Sequence, residues 1–287
     1  MGFRMSSDHP NKVRSKSEEK EPKRLFFFFV EGEKTESIYF EELSKYENRN
    51  MDIDIRLMSR WNVNKGHSNQ LKIVQSVKEY VDLIDKTNKE LLAELEAITK
   101  KFGEDDLTVL EIMELVKQLE ELESKGLINI HESFKQQKNA VITMSNFTEG
   151  YDKICIIIDR DKQSFKNKQF DEVIDIVDKN HYSLGLTNPN FEFYLLLHLD
   201  DCFDLDKDKI KNNQRISKNR KYTEDILKAS MLGEGEAYNK NNYNCNLFFE
   251  KFKQGYNNSQ KFASSNLDLK DEIGSSVFEL LKEIFEI

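Results

Sequence analysis

The sequence predicts an α/β fold: a mainly parallel, doubly wound sheet with an inserted α-helical subdomain and a helical C-terminal region. Three observations lead there. Leu25 to Val30 is a continuous apolar run bounded by polar residues, as expected of a strand buried on both faces of a parallel sheet. Lys153 to Ile158 has the same character and runs directly into Asp159-Arg160-Asp161. Elsewhere apolar residues recur every three or four positions, so strands alternate with helices.

Residues 1–22 are polar, mixed in charge and contain Pro10 and Pro22, which predicts a loosely attached arm. Residues 23–66 form the first part of the sheet domain. Its opening strand stops at Glu31-Gly32, and Thr35 is placed to cap a helix whose apolar Ile38, Tyr39, Phe40 and Leu43 lie close to one face. Ile53, Ile55 and Leu57 alternate with charged residues, giving a second, half-exposed strand.

Residues 67–135 read as an inserted helical subdomain of two or three amphipathic helices. Within it, Leu107 to Ile128 looks like the end of a winged helix-turn-helix. Eight acids against a single lysine between Glu104 and Glu123 would repel phosphates, so a helical hairpin or protein contact surface is the better reading.

Residues 136–205 complete the sheet domain. After the strand ending at Asp159, a helix is expected from about Asn167 to Lys179, burying Phe170, Val173, Ile174 and Val177. Tyr182 to Leu186 suits a fourth strand. In the following Thr187 to His198 segment, Asn188 suits an N-cap and Pro189 a first helical position. Residues 206–287 then form a basic linker and a helical region.

The chain of 287 residues is long enough for one sizeable α/β domain with an insertion, or for two modest ones. A net charge of -9 excludes a uniformly basic coat, leaving local stretches to meet phosphate. Cys155, Cys202 and Cys245 are far apart and form no CxxC pair, which argues against a disulfide framework or zinc knuckle. A reducing cytoplasm fits them. No apolar run approaches the roughly 20 residues needed to span a bilayer, and no signal peptide is recognisable, so no membrane partner is expected. Homo-oligomerisation is compatible with the sequence.

In open α/β sheets functional groups collect beyond the carboxyl ends of strands. Glu31 leaves the first strand and Asp159 the third, while Asp161 would point the same way as Asp159 if the extended conformation persists. Such carboxylates raise one another's pKa unless a divalent cation offsets their charge. The expected ion is Mg2+, with Mn2+ a plausible substitute. With a phosphodiester bound, Glu31 would serve as general acid or base. Alone, an Asp-x-Asp or a Glu-Gly turn is more often structural; their joint placement at strand ends favours function.

Further residues carry two readings each. Glu33 and Glu36 support the metal site, or pair with Lys34 and cap or solvate the helix start. Lys34 meets phosphate at that helix start, or is solvated. Glu192 reaches the acidic site as an extra ligand or base, or forms a salt bridge with Arg160. His198 is a proton carrier, or a satisfied half-buried histidine. Lys209, Lys211, Arg215, Lys218, Arg220 and Lys221 belong to a stretch with seven basic residues and one acid from Lys207 onward, which tracks a nucleic-acid backbone or is a solvated charge run. Asn212, Asn213 and Asn219 would add phosphate donors. Tyr222, Tyr238, Tyr243 and Tyr256 would stack on bases, or serve the core.

Glu31-Gly32-Glu33-Lys34-Thr35-Glu36-Ser37-Ile38-Tyr39-Phe40 resembles the opening signature of the RloB family. Ile158-Asp159-Arg160-Asp161 and Asn188-Pro189-Asn190-Phe191-Glu192-Phe193-Tyr194-Leu195-Leu196-Leu197-His198 are similar to its other two signatures, in the same order. The resemblance covers roughly residues 23 to 200 without the insertion. It implies a Toprim-like fold with a metal-dependent nuclease site, in which Glu31 corresponds to the Toprim glutamate and Asp159 with Asp161 to its paired aspartates. It further implies a bacterial anti-phage, abortive-infection setting, often beside a partner ATPase. The resulting expectation is a Mg2+-dependent phosphodiesterase cleaving DNA or RNA. The alternative is a non-catalytic sensor or adaptor that binds a phosphate-rich ligand or protein trigger through the same core.

Overall fold

The computed structural model describes residues 23–32, 34–58, 70–78, 81–82, 147–217 and 220–287. The expected arm, most of the helical insertion including Leu107 to Ile128, Glu33, Lys218 and Asn219 lie outside the described residues.

Strands β1 (Arg24–Val30), β2 (Ile53–Leu57), β3 (Lys153–Asp159) and β4 (Ser183–Asn188) run parallel, and β7 (Gly274–Ser275) adds an antiparallel edge to β4. The order across the sheet is β2-β1-β3-β4-β7. The chain thus leaves β1 for a neighbour on one side, then crosses to the other side for β3 and β4. Such a reversal opens a crevice beyond the carboxyl ends of β1 and β3.

The pleat explains why β1 is apolar throughout. Phe26, Phe28 and Val30 face one core together with Cys155 and Ile157 of β3, whereas Phe27 and Phe29 face a second core with Ile154, Ile156 and Ile158. Alternate side chains point to opposite faces, so a strand covered on both sides needs apolar residues at every position. Each fully buried phenylalanine contributes about 1.5–3 kcal/mol. Ile53 and Ile55 of β2 are buried while Arg56 is exposed, as expected for an edge strand.

Helix α1 (Thr35–Lys45) covers the first face through Tyr39, Phe40 and Leu43. Helix α2 (Asn167–Lys179) covers the second through Phe170, Val173 and Val177, and Leu71, Val74 and Val77 of helical residues 70–78 join it there. The predicted α2 boundaries match the observed ones, because its apolar period is unbroken. Two helix starts differ from expectation. Thr35 lies within α1, its carbonyl accepting the Tyr243 hydroxyl at 2.6 Å, and Lys34 occupies the cap position. Asn188 belongs to β4, paired with Gly274 and donating from Nδ2 to the Leu269 carbonyl at 3.0 Å. The Asn188-Pro189 peptide is cis, and α3 (Phe191–Leu197) starts after Asn190. Sheet pairing has claimed the backbone, and the Leu269 carbonyl the side chain, of a residue that local propensity assigns to a cap.

The C-terminal region is helical as expected: α4 (Lys207–Asn212), then α5 (Tyr222–Gly233), α6 (Cys245–Glu250), α7 (Phe252–Ser259) and α8 (Val277–Leu281). Between α4 and α5 lies a hairpin of β5 (Arg215–Ser217) and β6 (Arg220–Lys221). This region is continuous with the main core, since Phe248, Phe252 and Phe278 cluster with Phe26, Tyr39 and Tyr194. All three cysteines are buried free thiols, and no helix among the described residues is long and apolar enough to cross a membrane.

Candidate functional site

The mouth of the crevice is acidic. Where β1 ends, Glu31 turns its carboxylate toward β3: Oε2 accepts the Asp159 backbone N–H at 2.9 Å, and Oε1 accepts Gln70 Nε2 at 3.0 Å. The parallel pairing of β1 with β3 places these two strand ends side by side. Gln70 is buried, and the oxygen of the same amide finds no hydrogen-bond partner among the described residues.

Glu36 comes from the first turn of α1 and is 8% exposed. It lies directly over Gly32: a Cβ added there would sit 1.6 Å from Glu36 Oε2 and 2.2 Å from its Cδ. Glycine is therefore required for this carboxylate to reach the crevice. Glu192 enters from α3 and is 5% exposed. Helices α1 and α3 are fixed against each other by aromatic packing, with the Tyr39 and Tyr194 hydroxyls 2.6 Å apart and the Tyr39 ring edge-on to Phe191 and Tyr194. That contact brings Glu36 and Glu192 to one place.

The electrostatic consequence is strong. Burial, then the charge of Glu192, pushes the Glu36 carboxyl up to about 8, with Glu31 adding to the effect and Lys240 opposing it. Burial likewise raises Asp159 well above the usual carboxylate range, followed by repulsion from Glu36, Glu31 and Glu192, while Lys221 pulls it back. Four carboxylates thus act on one another, Glu36 and Glu192 buried and Glu31 and Asp159 half-buried, although each comes from a different element.

Two lysines from the C-terminal region face this cluster. Lys240 Nζ lies 2.7 Å from Glu192 Oε1 and 3.2 Å from Glu224 Oε2, and Asn190 Nδ2 donates to the other Glu192 oxygen. Lys221 Nζ lies 3.4 Å from Asp161 Oδ2. Nothing in the spacing of the sequence marked Lys240 or Glu224, which come into position only through packing of α5 and the loop after it.

The predicted site residues therefore separate. Glu31, Asp159, Glu36 and Glu192 act on one another. Asp161 does not continue the strand: its carbonyl accepts the backbone N–H groups of Ser164 and Phe165, and its Oδ1 accepts that of Gln163, forming a turn. Lys34 is exposed beside the helix start.

Arg160 points away from the acids and is 1% exposed. Its guanidinium donates to the carbonyls of Lys270 and Phe165 and to Asn167 Oδ1, and lies over the rings of Phe165 and Phe170. It ties the turn after β3 to the second core and forms no salt bridge with Glu192, whose cation is Lys240.

His198 is not placed to carry protons to the site. It is fully buried among Tyr194, Phe248, Phe252 and Phe278, with Nδ1 3.0 Å from the Tyr194 carbonyl, and burial lowers its pKa to about 3. It is a neutral core residue.

The basic candidates also divide. Lys209 and Lys211 lie exposed on α4 and Arg215 exposed on β5, whereas Arg220 pairs with Asp225 at 2.6 Å. Asn213 is buried, its Oδ1 accepting the Thr223 backbone N–H at 3.1 Å and hydroxyl at 3.0 Å. Tyr238 and Tyr243 are buried and unavailable for base stacking.

The donor chemistry fits a hard dication: the facing groups are oxygen ligands, mutually repelling, with an orphaned amide oxygen beside Glu31. Among the described residues, no three His, Cys, Asp or Glu side chains already stand at ligand spacing for a metal ion. Gly32→Ala gives a direct check on the arrangement. The end of a flexible side chain can give way, so the fold should survive while Glu36 is displaced. Any Mg2+-induced rise in Tm should shrink to less than half that of the unaltered protein, read by thermal melts with and without the ion.

A model of the family described as RloB-like protein matches residues 26–284. No curated protein and no solved structure matches the chain.

Proposed function

Because the chain belongs to the RloB-like protein family, we propose that it is a Toprim-like, Mg2+-dependent phosphodiesterase, a nuclease that cleaves DNA or RNA in bacterial defence against phage. The carrying observation is the hydrogen bond from the Asp159 backbone N–H to the Glu31 carboxylate, which sets two acids together at the topological reversal of a parallel sheet. Defence, and control by a partner ATPase, rest on family resemblance alone.

In this reading Glu31 and Asp159 hold the ion, with Mn2+ able to replace Mg2+, and Asp161, which the turn after β3 sets against Lys221, joins them on release from that lysine. Glu36 and Glu192 support them. The ion would supply charge stabilisation for the transferring phosphoryl group and a more acidic bound water. The protein's own part is positional. Gln70 and the Asp159 backbone N–H orient the Glu31 carboxylate, which exchanges a proton with the attacking water or the leaving oxygen. Lys240 fixes Glu192, and the apolar residues on both sides of the sheet keep the strand ends rigid.

The test is cleavage of DNA and RNA by the purified chain, alone and with its partner ATPase, with Mg2+, Mn2+ or EDTA. Each condition includes an Asp159→Ala, Asp161→Ala double variant. Ion-dependent cleavage confined to the unaltered protein is expected. Equal cleavage by the variant would remove the site assignment, and tight nucleic-acid binding without cleavage under every condition would favour the sensor reading.

A further inference from the structure

The ion pair between Lys221 and Asp161 bears on how the site is loaded. Asp161 has one carboxylate oxygen engaged by the Gln163 backbone N–H at 3.0 Å and the other facing Lys221 Nζ at 3.4 Å. The ammonium also draws on Asp159, so it supplies part of the positive charge this cluster needs.

The backbone that carries Lys221 is held independently of that contact. Lys221 pairs with Arg215 across the β5-β6 hairpin, and the next residue, Tyr222, donates its backbone N–H to the Gln214 carbonyl at 3.0 Å. Thr223 continues the anchoring through Asn213, and Arg220 is held by Asp225. The side chain is about one-third exposed and has four rotatable carbons, so the ammonium can swing without moving the hairpin. Arg215 lies exposed on the same hairpin, and Lys209 and Lys211 lie exposed on α4 just before it. The surface from which Lys221 reaches into the acids is therefore the basic one.

We propose that Lys221 is an exchangeable counter-ion: it pairs with Asp161 while the carboxylates lack a metal, and it transfers to a phosphate of the polynucleotide once Mg2+ is bound. This rests on the metal-dependent reading above, and adds a residue that couples metal loading to substrate docking. No covalent step is involved. A lysine is suited to the role because it binds either anion as a point charge, without the fixed two-pronged geometry that would commit an arginine to one carboxylate.

The two roles predict opposite signs for one substitution. Removing a competing, partly exposed cation should let Lys221→Gln bind Mg2+ about two- to fivefold more tightly than the unaltered protein, the range expected for losing such an ion pair. The same variant should bind a short fluorescein-labelled oligonucleotide more weakly in the presence of Ca2+, which replaces Mg2+ to suppress cleavage. Its dependence on log salt should fall by about one phosphate contact. Lys221→Arg, which keeps the charge, should retain oligonucleotide binding.

Calorimetric Mg2+ titration and fluorescence anisotropy, with DNA and RNA forms of the oligonucleotide, read both effects on folded protein verified by circular dichroism. Unchanged or weaker Mg2+ binding by Lys221→Gln overturns the proposal, as does unchanged oligonucleotide affinity. Failure of the unaltered chain to bind Mg2+ instead defeats the metal reading on which it stands. That outcome is distinct because it appears before any variant is compared.

Discussion

Arg160→Ala is expected to destabilise the fold by about 3–5 kcal/mol, with a fall in Tm of roughly 10 °C for a chain of this size. The side chain is almost completely buried, and its loss would strip donors from the Lys270 and Phe165 carbonyls and from Asn167 at once. The buried Phe165 carbonyl left unpaired costs about 1–3 kcal/mol, and the half-buried Lys270 carbonyl and exposed Asn167, which water can reach, cost less. The contacts over Phe165 and Phe170 would also disappear, leaving a cavity beneath the turn. Arg160→Lys should recover little, because an ammonium cannot reach three acceptors arranged around a planar fork. Thermal and urea melts decide this. A loss below about 1 kcal/mol would mean that the turn after β3 repacks without the guanidinium.

Stability without metal should fall as pH rises toward 8, opposite to the acid sensitivity usual for paired surface carboxylates. The Glu36 carboxyl sits at about 8 in the folded chain against an ordinary 4.5, so the folded state holds a proton that the unfolded state has already released. Its contribution is complete below the unfolded value and is lost as pH climbs through the folded one, with a slope of up to about 1.4 kcal/mol per pH unit. Asp159 is shifted the same way. His198 acts oppositely, since its depressed pKa gives stability present above 6.5 and lost as pH falls toward 3. The informative window is therefore 6.5 to 8, above the range in which His198 contributes. Melts in EDTA across that window should show a declining Tm, flattened in Glu36→Gln, and the stabilisation conferred by Mg2+ should grow as pH rises. A Tm that is level or increasing in EDTA would show that the acids are better hydrated than their packing indicates.

The strands at Arg24–Val30 and Lys153–Asp159 and the helix at Asn167–Lys179 were legible because periodicity and burial agree over many residues. Edge strand β7 was not, since Gly274 and Ser275 have no apolar pattern and are placed by hydrogen bonding to β4. Glu31 and Asp159 were legible as acids at strand ends. Glu36 had an equally good reading as a helix-start residue, and only the missing side chain of Gly32 shows why it turns inward. His198 had a reading as a proton carrier beside that of a satisfied half-buried histidine, and Arg160 was read as a salt-bridge partner of Glu192. Their partners instead belong to the core and to the turn after β3.

By itself the sequence determined which strands are buried on both faces and which acids terminate them, because those are properties of neighbouring residues and their period. Tertiary structure alone decided that Glu192 joins Glu36 and Asp159, that Lys240 and Lys221 supply the opposing charge, and that Asp161 turns toward Lys221. The reason is physical: electrostatic energy depends on distance and on exclusion of water, and both are set by packing between segments that lie far apart along the chain.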